Sequence, residues 1–193
     1  EDFLMSPTTS DRIKNITING SDGWEVFNKA RRMISNGEKI IELSIGEHDI
    51  KTSTNITDAM HKSALNGNTG YAEMQGLKKL RELIAKRNQE RTGDKTNSEN
   101  IIITPGGQAG LFATHMATCN EGDRALFLDP YYATYPGTIR SVGARAIPIK
   151  TQSKNGFQPT FNEIDLQATD AKTLLINSPN NPTGVVYSKD TFN

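Results

Sequence analysis

The chain has 193 residues, and its 22 Lys and Arg side chains balance 22 Asp and Glu side chains to a formal net charge of zero. A neutral chain has no basic surface to attract nucleic acid or an anionic membrane, so neither is expected as a partner. No apolar run approaches the roughly 18 residues of a membrane span. The single cysteine excludes an internal disulfide, and the three scattered histidines predict no metal site. The start lacks a signal-peptide pattern, and these features together favour a cytoplasmic protein that handles small molecules.

The first forty-five residues predict a polar, irregular arm, a helix and a strand. The arm covers residues 1–20. The helix is predicted to begin at a cap at Ser21 or Asp22 and to end before Gly37. Its apolar face consists of Trp24, Phe27, Ala30 and Ile34. Residues 40–45 alternate as in a short strand.

Two further helices are predicted before residue 100. Ile56, Met60 and Ala64 recur every four residues ahead of Gly67, which is typical of a short helix with a glycine stop. A longer amphipathic helix closes at Gly93, and we expect its many charged side chains to be solvated. Its apolar positions are Leu77, Leu80, Leu83 and Ile84.

From residue 101 onward, short apolar runs alternate with stretches of helical length. The runs that predict strands are 101–104, 125–128, 144–149 and 173–176. Helices are predicted at 108–119 and 131–142, between the first three runs. This alternation indicates an α/β fold with a mostly parallel sheet that is buried on both faces.

A glycine loop, residues 104–110, connects the first predicted strand to a helix. Gly106 and Gly107 allow a sharp turn with accessible backbone amides, and the helix that follows presents its positive dipole end. The loop is neither a Walker A loop nor a Gly-x-Gly-x-x-Gly fingerprint. Anion binding and a simple tight turn both remain open from these residues alone.

Two more strand ends carry unusual sequences. A tyrosine segment, residues 129–136, holds three of the five tyrosines between two prolines, and its rings could stack on a planar ligand or simply cover the sheet edge. An asparagine segment, residues 177–184, contains three asparagines and two prolines. Because the helical region is disfavoured for a residue before proline, Asn181 could be held with its amide aimed into a crevice. Ordinary turn chemistry is the alternative.

Together these segments resemble the class I/II aminotransferases, the pyridoxal-phosphate (PLP) enzymes of fold type I. The Asn-x-Pro-x-Asn-Pro-Thr-Gly run at 177–184 is similar to the family signature. Four further motifs are similar to those of the family. They are the Tyr-x-x-x-x-Gly-x-x-x-Leu-Arg pattern at 71–81, the Ile45-Gly46-Glu47 step, the glycine loop and the Pro130-Tyr131-Tyr132 step. The resemblance implies the three-layer αβα PLP-transferase fold. It also implies an arm and a small-domain segment in residues 1–48, and the first part of the large PLP-binding domain in 49–193.

The resemblance also implies roles for individual residues. Gly106, Gly107, Gln108 and Ala109 would form the PLP phosphate site, and the Tyr132 ring would stack on the pyridine ring. Asn181, in a peptide to Pro182 that is usually cis in the family, would hydrogen-bond the ring hydroxyl. Tyr71 would reach the phosphate of the neighbouring subunit in a homodimer, and the Gly46 backbone would contact the substrate carboxylate. The activity implied is the transfer of an amino group between an α-amino acid and a 2-keto acid.

The family's Schiff-base lysine lies beyond the asparagine segment in a Ser-x-x-Lys context, and no lysine of this chain has that context. No catalytic residue is therefore assigned here. We expect the chain to be the N-terminal part of a longer polypeptide, to be inactive alone, and to leave the strand 101–104 unpaired. The competing hypotheses are a β-lyase or synthase on the same fold, a non-catalytic aminotransferase-like module, and a nucleotide-binding α/β protein.

Overall fold

The computed structural model describes residues 8–17, 24–43, 46 and 48–192. Most of the described regular structure is helical, and two 3-10 turns at Ser98–Asn100 and Ser153–Asn155 accompany the helices. The helices are α1 (Asp11–Asn15), α2 (Trp24–Ser35), α3 (Thr54–Leu65), α4 (Lys78–Thr92), α5 (Gly107–Thr118), α6 (Tyr135–Ser141), α7 (Phe161–Ala168) and α8 (Lys189–Phe192). Within these ranges, no helix is long and apolar enough to cross a bilayer.

A parallel sheet contains the strands β1 (Arg124–Asp129), β2 (Arg145–Lys150) and β3 (Ala171–Leu175) in the order β2-β1-β3. The last three of the five predicted strands are thereby confirmed. β1 lies between the other two, and its inner residues 125–128 are at most 4% exposed. This burial is characteristic of a parallel strand that is covered on both faces.

The side chains of β1 point alternately to the two faces of the sheet, so they anchor two apolar clusters. On one face, Phe127 packs with Tyr135 and Ile139. On the other face, Leu128 packs with Ile149. The two clusters make the sheet the middle layer of an αβα arrangement.

The chain divides into two compact units. One unit consists of Glu1–Ile40 and Leu111–Asn193 and contains the sheet. The other consists of Ile41–Gly110 and contains α3, α4 and the glycine loop. The boundary predicted between residues 48 and 49 follows from the resemblance and stays a prediction.

Two predicted strands do not form in the described residues. The run 101–104 has no strand partner there, as expected for this chain, although Ile103 donates a backbone hydrogen bond to the Gln75 carbonyl at 2.9 Å. The predicted strand 40–45 is irregular over residues 40–43, and residues 44 and 45 lie outside the described part. A strand needs a neighbouring strand to complete its ladder, and neither segment has one among these residues.

Helix boundaries also differ from the predictions. The arm is not irregular throughout, because α1 forms within it and the backbone N–H of Ile13 donates to the Ser10 hydroxyl. The helix predicted from residue 131 begins at Tyr135, where Pro136 occupies the first turn that suits a proline. The predicted cap at residues 21 and 22 lies outside the described residues. The glycine stop of α4 is confirmed, with Gly93 in the left-handed conformation at φ +82°.

The face of α4 that is buried is not the predicted one. The predicted apolar face is substantially exposed, at 60% for Leu77, 42% for Leu80, 57% for Leu83 and 38% for Ile84. Arg81 and Ala85, four residues apart, are instead buried at 4% and 2% exposure. The prediction that the charges of this helix are solvated is therefore wrong for Arg81.

Candidate active site

The glycine loop forms a tight turn ahead of a long helix. Gly106 has φ +83°, and its carbonyl accepts a hydrogen bond from the Thr104 hydroxyl at 3.0 Å. The twelve-residue helix α5 begins at the next residue. A Cβ added at Gly106 or Gly107 would meet nothing within 4 Å, so the loop is open to a ligand. The loop thus has the shape and the dipole that suit a phosphate, with Gln108 and Ala109 in the first turn of the helix.

A buried arginine organises the segment that follows Tyr71. The Tyr71 side chain itself is fully exposed. Arg81 donates from Nε to the Gly76 carbonyl at 2.9 Å, from one terminal nitrogen to the Ser98 carbonyl at 2.9 Å, and from the other to the Glu73 carboxylate at 2.7 Å. The motif at 71–81 contains this arginine, but the motif alone assigns it no role. Its role requires the three-dimensional placement of the three acceptors.

Gly76 brings the same segment against the approach to the glycine loop. Its φ is +94°, and a Cβ added there would lie 2.5 Å from Cγ1 of Ile103. The neighbouring Gln75 carbonyl accepts the backbone N–H of Ile103 at 2.9 Å. The segment after Tyr71 is therefore joined to the strand-like run that enters the glycine loop. Gly46, in the same unit, is exposed and has open space at its Cα.

The tyrosine segment follows β1 in the other unit. Its start is fixed by Thr151, whose backbone N–H and hydroxyl donate to the Asp129 carbonyl at 2.8 and 2.7 Å. Tyr131 packs edge-on against Phe127, with ring centroids 4.8 Å apart. Tyr132 is 38% exposed and packs edge-on against Tyr135 at 5.8 Å. Tyr131 and Tyr135 thus cover the sheet, while Tyr132 keeps surface for a ligand.

The asparagine segment follows β3 and is tied to the tyrosine segment. Asn180 is 6% exposed, and its amide donates to the Pro130 carbonyl at 3.1 Å and to the Thr183 hydroxyl at 2.8 Å. The next side chain, Asn181, is exposed, and its amide makes no hydrogen bond among the described residues. The Asn181–Pro182 peptide is cis, as the resemblance implies. The backbone at Asn181 is held while its side-chain amide is left available.

The structure places the predicted site residues in two groups. Tyr132 and Asn181 lie on two connected segments of the unit that contains the sheet. Gly46, Tyr71 and the residues Gly106 to Ala109 lie in the other unit. No cluster of potential metal ligands occurs in the part of the chain that the structure describes.

A parallel α/β sheet whose strand ends carry aromatic and amide side chains is the architecture of a ligand-binding α/β protein. The family described as aminotransferase class I and II matches residues 38–193. This match covers most of the chain, and the chain belongs to that family.

Curated relatives agree with this assignment. The arginine–pyruvate transaminase of Pseudomonas aeruginosa is 33% identical over 184 residues, which are 95% of this chain and 47% of the relative. The aspartate aminotransferase of Thermotoga maritima is 34% identical over 182 residues, or 94% of this chain and 48% of the relative. The chain therefore spans about half the length of the curated relatives it matches.

Solved structures show the same fold. The aspartate aminotransferase of Thermus thermophilus with maleate matches with a TM-score of 0.88 at 30% identity, covering 96% of this chain and 48% of that one. The alanine aminotransferase of Pyrococcus furiosus matches with a TM-score of 0.88 at 26% identity, covering 95% and 47%. The predicted fold class of a PLP-transferase-like αβα protein is confirmed.

Proposed function

We propose that the protein to which this chain belongs transfers an amino group between an α-amino acid and a 2-keto acid, with PLP as cofactor, as a cytoplasmic homodimer. Family membership supports the reaction class. The observation that carries the proposal is the asparagine segment, where the Asn181 amide is exposed on a backbone that neighbouring residues hold. A donor prepared in this way suits recognition of a fixed polar atom on a planar ligand.

The described residues fit the chemistry of PLP. The glycine loop has no Cβ at Gly106 or Gly107, and its first helical turn offers backbone amides from Gly107, Gln108 and Ala109 to a phosphate. Tyr132 offers a partly exposed aromatic ring for stacking. A phosphate donor set, a stacking ring and an amide donor are three recognition elements that suit the cofactor.

Each residue then has a distinct task. The glycine loop donates backbone N–H groups to the phosphate and anchors the cofactor, and the Tyr132 ring fixes the plane of the pyridine. The Asn181 amide donates to the ring hydroxyl, Tyr71 reaches the phosphate site of the neighbouring subunit, and the Gly46 backbone meets the substrate carboxylate. Bound PLP supplies an electron sink for charge that develops at the substrate's Cα. Proton transfer at that carbon is assigned to no residue of this chain, and we propose that the 193 residues alone are inactive.

Reductive trapping tests the cofactor. The intact protein is incubated with PLP, reduced with borohydride and weighed by mass spectrometry. One pyridoxyl adduct per full-length polypeptide is expected, together with transfer of amino groups from a panel of amino acids to pyruvate or 2-oxoglutarate. No adduct and no PLP absorbance would refute the proposal. Keto-acid release without an equal amount of new amino acid would instead assign a lyase.

The role proposed for Asn181 is tested by comparing the PLP affinities of two variants. An Asn181→Ala change removes a hydrogen bond to an ionised oxygen, worth about 1.5–3 kcal/mol, so PLP affinity should fall roughly 10- to 100-fold. Asn155→Ala is the matched control, because that amide donates only to the Gln158 carbonyl of its own turn at 2.9 Å. Equal affinities for the two variants would refute the role of Asn181.

A further inference from the structure

Tyr135 lies in the tyrosine segment, and its side chain contacts the asparagine segment. It begins α6, is 7% exposed, and belongs to the apolar cluster that contains Phe127 and Ile139. One edge of its ring system meets Tyr132, with centroids 5.8 Å apart and an interplanar angle of 74°. The ring of Tyr135 therefore supports the ring of Tyr132 from the core side.

The hydroxyl of Tyr135 reaches the asparagine segment. With the Asn177 amide oriented so that its oxygen faces the nearby donors, Oδ1 accepts the Tyr135 hydroxyl at 3.3 Å and the backbone N–H of Asn181 at 3.0 Å. In the same orientation the Asn177 nitrogen donates to the Pro179 carbonyl at 3.3 Å. One amide oxygen thus receives a donor from each of the two segments.

The hydroxyl is suited to remain a donor. Burial raises the pKa of Tyr135 above its usual value of 10.0, and the nearby Tyr132 raises it further, while the hydrogen bond to Asn177 acts in the opposite direction. The phenol stays protonated at neutral pH, so the hydrogen bond to Asn177 is maintained.

A second contact holds the same two segments independently, since the Asn180 amide donates to the Pro130 carbonyl. That contact lies at the beginning of the tyrosine segment, ahead of Tyr132. The contact through Tyr135 lies beyond Tyr132. Tyr132 therefore lies, along the chain, between two residues that hydrogen-bond to the asparagine segment, Pro130 and Tyr135.

We propose that Tyr135 is a positioning residue, which sets the Tyr132 ring with its own ring and sets Asn181 with its hydroxyl through Asn177. This inference rests on the proposed function, in which Tyr132 stacks on the cofactor and Asn181 donates to its ring hydroxyl. The same side chain then fixes the distance and angle between the stacking surface and the amide donor. Tyr135 touches no reacting atom and acts only through its two neighbours.

A hydroxyl deletion tests the inference in the intact protein. Tyr135→Phe keeps the ring contacts and removes only the hydrogen bond to Asn177. Tyr187→Phe is the matched control, because Tyr187 is 6% exposed in the same unit and its hydroxyl makes no hydrogen bond within the described part of the chain. Affinity is measured by fluorescence titration with PLP, and the pH midpoint of the bound cofactor's absorbance change is measured beside it.

Tyr135→Phe should weaken PLP binding about three- to tenfold, as expected for a lost hydrogen bond. The pH midpoint should move upward, because a loosened Asn181 stabilises the deprotonated ring hydroxyl less. Tyr187→Phe should change the affinity less than twofold and leave the midpoint in place. Equal behaviour of the two variants would overturn the inference while leaving the proposed function intact. Failure of the unmodified protein to bind PLP would overturn both.

Cofactor-free protein provides a second readout. The backbone N–H of Asn181 donates to Asn177, so its hydrogen exchange reports whether this contact persists. Exchange should accelerate in Tyr135→Phe and in Asn177→Ala, and should stay near the unmodified rate in Asn177→Asp, which retains an acceptor oxygen. If Tyr135→Phe fails to fold, the two Asn177 variants still test whether Asn177 holds Asn181, a link that the inference requires. Unchanged exchange in Asn177→Ala would overturn the inference.

Discussion

Arg81 carries a prediction about stability that depends on burial rather than on charge pairing. Its side chain is 5% exposed and donates to two backbone carbonyls as well as to a carboxylate. Arg81→Met keeps much of the apolar stem and removes all of these hydrogen bonds. The carbonyls of Gly76 and Ser98 would then lose their charged partner in half-buried positions.

The size of the effect follows from the exposure of each partner. Hydrogen bonds to charged groups contribute about 1.5–3 kcal/mol each when buried, and partial rehydration of the carbonyls reduces their sum, so Arg81→Met should cost about 3 kcal/mol. Glu73 is 53% exposed, so Glu73→Gln should cost under about 1 kcal/mol. The exposed Arg87 on the same helix is the matched control, and Arg87→Met should stay within about 0.5 kcal/mol.

Urea denaturation followed by circular dichroism measures the three free energies of unfolding. Hydrogen exchange at the backbone N–H of Ile103 locates the change, because that amide is bonded to the segment that Arg81 holds. Arg81→Met should lose protection there, and Arg87→Met should not. Glu99, whose carboxylate lies 3.6 Å from Arg81, is 80% exposed and contributes little. If Glu73→Gln destabilised as strongly as Arg81→Met, the ion pair with Glu73 would be the main contribution and the argument from the carbonyls would be wrong.

Two further predictions concern the same described regions. Gly76→Ala should lower the free energy of unfolding by clearly more than the roughly 1–2 kcal/mol that an L-residue at positive φ costs, because its Cβ would collide with Ile103. Gly67 has φ +80° and open space around its Cα, so Gly67→Ala should show only the cost of the backbone conformation. Urea titrations measure both. Burial lowers the pKa of His115 below its ordinary value of 6.5, so the unfolded chain binds the proton more readily. The stability contribution of the neutral His115 is therefore complete above pH 6.5 and is lost as the pH falls toward the lowered value. Melting temperatures measured from pH 7.5 to pH 5 should fall less steeply in His115→Gln, and a slope unchanged from the parent and from the exposed His61→Gln control would contradict this.

The sequence predicted the sheet well where local pattern and burial agree. The inner residues of β1, 125–128, are apolar and buried on both faces, so a continuous apolar run identified the strand to within one residue at each end. The run 101–104 is equally apolar, yet it pairs with no strand among the described residues. Apolar composition predicts the tendency to extend, whereas a ladder requires a neighbouring strand that composition cannot specify.

The α4 helix shows a second limit of prediction from the sequence, which concerns the face of a helix that is buried. The rule that apolar positions face the core selects Leu80 and Ile84, but the structure buries Arg81 and Ala85. The guanidinium is buried because carbonyls and a carboxylate from distant positions converge on it, and no periodicity reports such acceptors. The helix itself and its glycine stop were predictable, since both depend on neighbouring residues only.

Some residues of the candidate site could be predicted from the sequence, and others could not. The sequence pointed to Tyr132 and Asn181, and their exposed side chains at strand ends are where a parallel sheet presents ligand-binding groups. The sequence did not point to Tyr135 or Asn177 as partners. Their contact joins residues that follow different strands, and it depends on β1 and β3 being adjacent.

The central position of β1 has a consequence for how the protein is made. Arg124 of β1 pairs with Arg145 of β2 and with Ala171 of β3, so the second pairing closes a loop about twice as long as the first. Each doubling of loop length adds only about 0.6 kcal/mol to the entropic cost of loop closure. The two pairings therefore have similar closure costs, and the main difference between them is when each can form. During synthesis β2 leaves the ribosome before β3, and β1 can acquire its first neighbour while β3 is still untranslated. The Asn180 and Asn177 contacts to the tyrosine segment can form only after β3 has been made, so the ring-binding side chains reach their final arrangement later than β1 pairs with β2.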